Sequence, residues 1–368
     1  MGTTPSTRAS IWAIAREALW EGGPGVCHFS ITNACNARCA FCSFAHDRLP
    51  AESRRWVTLA DANDACDILR RNGIRVLHFN GGEPTVHPDL TAMVAHAAQL
   101  GMMPALDTNG ALLTERRIHA LADAGLAKVC ISIDAASSGV HDSNRGIPGL
   151  SERIRRATAD LKRRRISTTA SVTMSRLVDY AALPEHLQAL GFGAVTFSYP
   201  LQTLPSSYRA CAEDSELVDL TPEELHTAFE AVKALSRRFP VQNPVASIED
   251  MQRHLRGEPE VFGCLAGWKY FYLDWNLEIW RCHHWDRPLC HIRDFDGTQR
   301  VHDGCTACMV DCYRDASVMQ HVGVALSDGL RAAARGEIRQ AWSHLADRRN
   351  VISVRAAMRT ARVWTRVS

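Results

Sequence analysis

The chain has 368 residues, enough for one large domain with an appendage or for two domains. Hydrophobic residues at 46% and charged residues at 22% describe an ordinary globular protein and exclude a disordered one, and no apolar run reaches the roughly 18 residues of a membrane span. The net charge of +2 is uneven, because nine arginines face two acids between residues 331 and 368, a stretch of +7 that suits either a solvated helix face or contact with an anionic surface.

The opening MGTTPSTRAS lacks a basic patch followed by an apolar core, so no secretory signal is evident. Thirteen cysteines at clustered, short spacings then point to metal binding in a reducing cytoplasm rather than to disulfides.

After an extension over 1–24, residues 25–240 alternate short β-like runs with helical stretches. The first strand is expected at 26–32 and runs into Cys35-Asn-Ala-Arg-Cys39-Ala-Phe-Cys42, three cysteines spaced C-x3-C-x2-C. Three thiolates are one short of the four that structural zinc or a fully protein-ligated iron–sulfur cluster takes. A helix at 58–72 leads to a strand at 75–79 ending in Asn80-Gly81-Gly82-Glu83-Pro84, where a glycine pair allows close backbone approach and a carboxylate can pair with a cation. Helix 88–100 and strand 103–107 follow, then the turn Asp107-Thr108-Asn109-Gly110. Helix 114–124 and strand 128–133 lead to Ser132-Ile133-Asp134 and on to His141-Asp142-Ser143-Asn144-Arg145-Gly146. The last units are helix 149–164, strand 167–174, helix 179–190, strand 194–198 and helix 221–238. Asp89 and Thr114 stand at expected helix starts, and Gly101, Gly125 and Gly191 at expected stops. Such alternation predicts parallel strands joined by right-handed crossovers, with chemistry at the strands' C-terminal ends.

Residues 241–312 break this rhythm with Cys264, Cys282, Cys290, Cys305, Cys308 and Cys312 among aromatics and histidines, the composition of a small metal-organised domain. Residues 313–368 form a basic helical segment, one helix over 313–345 and another over 350–368. Cys27, Cys66 and Cys130 fall in regular elements, where small apolar thiols pack.

Together these motifs resemble the radical S-adenosylmethionine (SAM) superfamily. The resemblance implies a partial (β/α)6 barrel, with Cys35, Cys39 and Cys42 holding a [4Fe–4S] cluster whose open iron SAM completes. Phe41 matches the aromatic residue favoured before the third cysteine. The resemblance assigns Gly81, Gly82 and Glu83 to the amino group of SAM, and Thr108 and Asn109 to the turn near the cofactor. Ser132 and Arg145 then contact SAM, Arg145 at its carboxylate, and Asp134 points to the substrate pocket or caps the following helix.

The C-terminal cysteines resemble the SPASM and twitch modules. Without the middle C-x5-C step of the SPASM pattern, and with Leu277 where a glycine usually stands, they imply one auxiliary cluster held by Cys264, Cys282, Cys305 and Cys308, with Cys312 as the substitute ligand. Four thiolates suit zinc equally well.

The implied activity is reductive cleavage of SAM, followed by hydrogen abstraction from substrate. Only 34 residues precede Cys35, too few for the leader-binding module of peptide-modifying relatives, so a small molecule such as a sugar, aminocyclitol or nucleoside is expected. A ribosomal peptide substrate, or a non-catalytic partner-binding role, is the alternative. A pocket mouth bearing Tyr199, Tyr208, Arg209, Trp268, Tyr270 and Trp285 is expected, with Cys211 or Cys290 as a thiol that returns a hydrogen atom. The expected partner is a flavodoxin- or ferredoxin-like electron donor, and nucleic acid is not expected.

Overall fold

In a computed structural model the described residues are 20–201, 204–208 and 214–367, with side chains through 361. The expected Cys211 and Arg209 lie outside them. The strands fall where alternation placed them: β1 (Gly25–Thr32), β2 (Ile74–Gly81), β3 (Met103–Thr108), β4 (Lys128–Ser132), β5 (Ser167–Thr173) and β6 (Val195–Ser198). All neighbouring pairs from β1 to β6 run parallel.

Between them lie α1 (Leu59–Arg71), α2 (Leu90–Gln99), α3 (Glu115–Asp123), α4 (Ser138–Arg145), α5 (Leu150–Arg163) and α6 (Leu183–Ala189), with α7 (Pro222–Leu235) after β6. Thr58 and Thr114 cap α1 and α3 by accepting backbone N–H bonds. The stops expected at Gly101, Gly125 and Gly191 fall two residues beyond observed helix ends. The helix α4 was legible only as a motif, since SGVHDSNR is eight residues of weak helix formers.

Each strand sorts its side chains by parity. Cys27, Phe29 and Ile31 of β1 and Leu77 and Phe79 of β2 point to the helical layer and are completely buried, as are Leu150 and Ile154 of α5. Each such large side chain contributes about 2 kcal/mol of transfer free energy. The opposite parity lines the barrel interior with polar groups: His28 and Ser30 on β1, His78 and Asn80 on β2, Asp107 on β3. There Ser30 donates to Asn80 at 2.8 Å.

The change of rhythm at 240 is not a break in the sheet. After α8 (Val245–Leu255), a helix the sequence reading did not separate out, strand β7 (Tyr270–Leu273) pairs in parallel with β1. Strands β8 (Glu278–Trp280) and β9 (Cys290–His291) extend the same sheet antiparallel, in the order β6-β5-β4-β3-β2-β1-β7-β8-β9. The single helix expected over 313–345 is two, α9 (Asp311–Ala334) and α10 (Ile338–Leu345), with Gly336 at φ 78° between them, followed by α11 (Arg348–Val367).

Candidate functional site

The three-cysteine loop leaves the C-terminal end of β1 and is tied to three further strand ends. Gly82 N–H donates to Thr32 O at 2.9 Å and Glu83 N–H to Ala34 O at 2.8 Å, which seats the loop entry on the end of β2. Both glycines are required by this approach. A Cβ on Gly81, at φ 133°, would meet Thr32 O at 1.9 Å, and one on Gly82 would meet Ala34 O at 2.4 Å. Asn36, inside the cysteine motif, accepts from Asn109 Nδ2 at 2.7 Å, and Arg38 N–H donates to Arg145 O at 2.8 Å. Cys35, Cys39 and Cys42 are thus placed by the ends of β2, β3 and β4 together. Cys39 and Phe41 are buried, and Cys35 and Cys42 are half-buried.

The Glu83 side chain does not reach outward. It is buried at 1% exposure, and its oxygens accept from Thr85 N–H at 2.9 Å, the Thr85 hydroxyl, the Thr108 hydroxyl at 2.6 Å and Asn109 N–H at 2.7 Å. Four donors on one carboxylate lock the glycine turn to the T-N-G turn, so the backbone of Gly81–Glu83, rather than the carboxylate, is what remains to meet a ligand.

Asp134 is likewise occupied and does not point into an open pocket. Its carboxylate accepts from Arg145 Nε at 2.7 Å, Arg145 Nη2 at 2.5 Å and Asn144 Nδ2 at 2.7 Å, with His141 beside it. Burial alone would push this carboxyl up, but the guanidinium overrides burial and holds it well below the usual carboxylate range. It acts as the seat of Arg145. Ser132 ends β4, half-buried and in register with Ser171.

The lumen between these strand ends holds residues the motifs did not flag. His78 Nδ1 lies 3.2 Å from Asp107 Oδ1, and the His28 and His78 rings are 4.8 Å apart. Cys130, expected merely to pack, is the register partner of Asp107 on this inner face, and burial pushes its thiol up to about 12. The alternation H-x-S in β1 and H-x-N in β2 carried this signal. Tyr208 stacks on His283 at 4.0 Å and meets Phe44 and Tyr272 edge-on, while Ser207 donates to Asp274 at 2.8 Å. The segment 204–208 therefore closes against β7 and the residues after β8, as expected of the mouth.

The other expected mouth aromatics do not join it. Tyr199 packs on Phe229, Tyr270 is buried with its hydroxyl on Ala316 O at 3.0 Å, and Trp268 stacks on His302. Cys290 lies on β9, three places from β1 at the sheet edge, which removes it as a thiol facing the lumen.

A second cysteine group forms beyond β7. Cys264, Cys282, Cys305 and Cys308 line one cavity of about 110 Å³ together with Arg281, Trp285 and Tyr313. Cys264 N–H donates to Cys305 O at 2.8 Å, and the Cys264 and Cys305 sulfurs accept from Ala266 and Ala307 N–H at 3.4 and 3.5 Å. Cys312, on the first turn of α9, packs beside this group without lining the cavity. Leu277, which the resemblance marked as a glycine position, has φ 64° in the turn between β7 and β8.

Residues 29–210 match the family model of the radical SAM superfamily. The chain belongs to that superfamily through this domain. It is 30% identical over 161 residues to an AdoMet-dependent heme synthase of Oleidesulfovibrio alaskensis, covering 42% of this chain and 40% of the relative. It is 35% identical over 122 residues to a PqqA peptide cyclase of Rhodopseudomonas palustris, covering 32% and 31%. The matches thus span well under half of these relatives' lengths. Among solved structures, native anSMEcpe with bound AdoMet superposes with a TM-score of 0.55 at 14% identity, covering 89% of this chain and 100% of that one, a likeness of fold.

Proposed function

We propose that this radical SAM protein is an enzyme that reductively cleaves SAM and takes a hydrogen atom from a substrate held in the barrel lumen. The observation that carries the proposal is the tethering of the Cys35–Cys42 loop to the glycine turn, the T-N-G turn and Arg145, which gathers three thiols and the segments proposed to meet SAM at one rim. Bound there, a [4Fe–4S] cluster supplies the open iron and the electron that cleave SAM to a 5′-deoxyadenosyl radical. The chain's own residues do the positioning. Cys35, Cys39 and Cys42 hold the cluster, the Gly81–Glu83 backbone and the Thr108–Asn109 turn cradle the amino end of SAM, and Ser132 and the guanidinium edge of Arg145 that Asp134 leaves open meet its carboxylate. Burial pushes the Cys35 thiol up to about 12, and the bond its Sγ accepts from Ala37 N–H at 3.4 Å partly offsets this by favouring the thiolate that a cluster would take.

The second cysteine group is proposed to hold one auxiliary iron–sulfur cluster on Cys264, Cys282, Cys305 and Cys308. Tetrahedral zinc bonded to thiolates at about 2.3 Å would bring the sulfurs to about 3.8 Å from one another. The four thiols instead surround a cavity of about 110 Å³, which favours a cluster over a single ion. A flavodoxin- or ferredoxin-like protein of the cytoplasm is the proposed electron donor.

The substrate reading favoured by the lumen is a small polar molecule, because its wall presents His28, His78, Asp107 and Tyr272 and the 204–208 segment closes its side. A peptide substrate is the second reading, favoured by the likeness to a PqqA peptide cyclase. Anaerobic reduction with SAM, followed by detection of 5′-deoxyadenosine, tests the chemistry. Stimulation of that signal by candidate small molecules against candidate peptides tests the substrate class.

A further inference from the structure

The lumen contains a donor set that the proposed reaction does not use. His28 and His78 are register partners on adjacent parallel strands, and Asp107 stands on the next strand two residues beyond Ala105, the partner of His78. Strand parity puts all three side chains on the inner face, and their ligand atoms lie within 4.8 Å of one another. His78 Nδ1 is 3.2 and 3.3 Å from the two Asp107 oxygens, and His28 Nδ1 is 3.9 Å from Oδ2.

An ordinary hydrogen-bonded pair explains His78 and Asp107 but not His28. At 3.9 Å its Nδ1 is too far from the carboxylate for a hydrogen bond, yet it lies beside Oδ2, which His78 Nδ1 also approaches. First-row divalent ions bond imidazole nitrogen and carboxylate oxygen at about 2.0–2.2 Å, which spaces neighbouring donors about 3 to 3.5 Å apart. His78 and Asp107 already stand at that spacing, and His28 would move toward them to close its 3.9 Å gap. Two histidines and one carboxylate on one side, with coordination positions left facing the lumen, form a donor set that such ions favour.

We propose that His28, His78 and Asp107 bind one divalent first-row cation on the lumen wall, leaving open positions for a hydroxyl, amine or carboxylate group of the substrate.

Lys128 donates its Nζ to Gln242 Oε1 at 3.2 Å, and its charge also acts on His28 and Asp107. The side chains of His28, His78 and Asp107 retain 16%, 15% and 30% exposure, so an ion has a route in from the lumen. The substrate-facing role rests on the lumen being the substrate pocket, whereas cation binding itself is measured without substrate or SAM.

The test is an anaerobic titration of cluster-loaded protein with Mn(II), which prefers nitrogen and oxygen donors to thiolates, with free Mn(II) read by electron paramagnetic resonance. Wild-type protein should withdraw about one equivalent. Asp107→Asn and His28→Gln should weaken that binding by at least about a hundredfold, since loss of mere outer-shell partners already costs 10–100-fold. Unchanged iron content in each variant shows that it is folded; should Asp107→Asn lose iron, His28→Gln decides alone. Wild-type protein that leaves Mn(II) free, or binds it no better than the variants, overturns the site whether or not SAM is cleaved.

Discussion

Asp134 and Arg145 meet fork to fork across the turn after β4, Nε to Oδ2 at 2.7 Å and Nη2 to Oδ1 at 2.5 Å, with the carboxylate side chain at 0% exposure. The pair converts a mobile guanidinium into a fixed one at the rim that carries the cysteine loop, whose Arg38 N–H donates to Arg145 O. Three donors from Arg145 and Asn144 already engage the Asp134 carboxylate, which makes it a seat for the guanidinium rather than an acid or base.

Removing that seat has two measurable effects. Asp134→Asn leaves a buried guanidinium without its counter-charge, a change that costs about 3–5 kcal/mol for a buried pair, so denaturant unfolding should shift accordingly. The native carboxyl is held below its ordinary range, so its contribution is present above about pH 4 and lost as pH falls; the variant should lack that acid-side loss. SAM affinity, read by equilibrium binding to the cluster-loaded protein, should weaken as well.

Gly82→Ala should separate the two metal sites. Its Cβ would stand 2.4 Å from Ala34 O, one residue before Cys35, and must displace the loop. Iron should fall from about eight to about four per chain, the content of one remaining [4Fe–4S] cluster. Retention of about eight irons with normal SAM cleavage would show that the glycine pair does not set the loop.

Glu83→Gln tests the lock between the two turns. Each carboxylate oxygen only accepts, from Thr85, Thr108 and Asn109. An amide nitrogen must face one of these donors and leave it unpaired, at about 1–3 kcal/mol. The yield of 5′-deoxyadenosine should drop by at least about tenfold, while iron in the auxiliary site is unaffected.

The auxiliary ligands can be told apart within four residues of sequence. Cys308 lines the cavity and Cys312 does not, so Cys308→Ala should lose the auxiliary iron and Cys312→Ala should keep it. The measurement is iron and zinc content of each variant in a background lacking Cys35, Cys39 and Cys42. Zinc in place of iron there would make the site structural.

Burial pushes the Asp315 carboxyl up to about 7, only partly offset by the bond it accepts from Asn243. The folded state then binds this proton more tightly than the unfolded chain, so stability should fall as pH rises from about 4 to about 7 and level off above. Asp315→Asn, which keeps an oxygen for the bond from Asn243 Nδ2, should remove that part of the slope in unfolding measured at about pH 5 and about pH 8.

Much of this was legible in the chain because helix and strand periods are local. The six parallel strands, the Thr114 cap and the glycine stops appear in the sequence as they do in the fold, whereas Asp89 stands at its helix start without a capping bond. Leu277 shows the same for a single residue, since a position where glycine was expected adopts φ 64°. What was not legible depended on long-range pairing. Strand β7 reads YFYL, buried on both faces and without alternation, so nothing local marked it as the continuation of β1. The fates of Glu83 and Asp134 were hidden for the same reason: their partners Thr108, Asn109, Asn144 and Arg145 are 10–26 residues away and arrive only when the strand ends assemble.

The central claim is that the Cys35–Cys42 loop holds a cluster that cleaves SAM. Anaerobically reconstituted protein, reduced in the presence of SAM, should yield 5′-deoxyadenosine, and the Cys39→Ala protein should yield none above background. Equal 5′-deoxyadenosine from the two proteins would contradict the account.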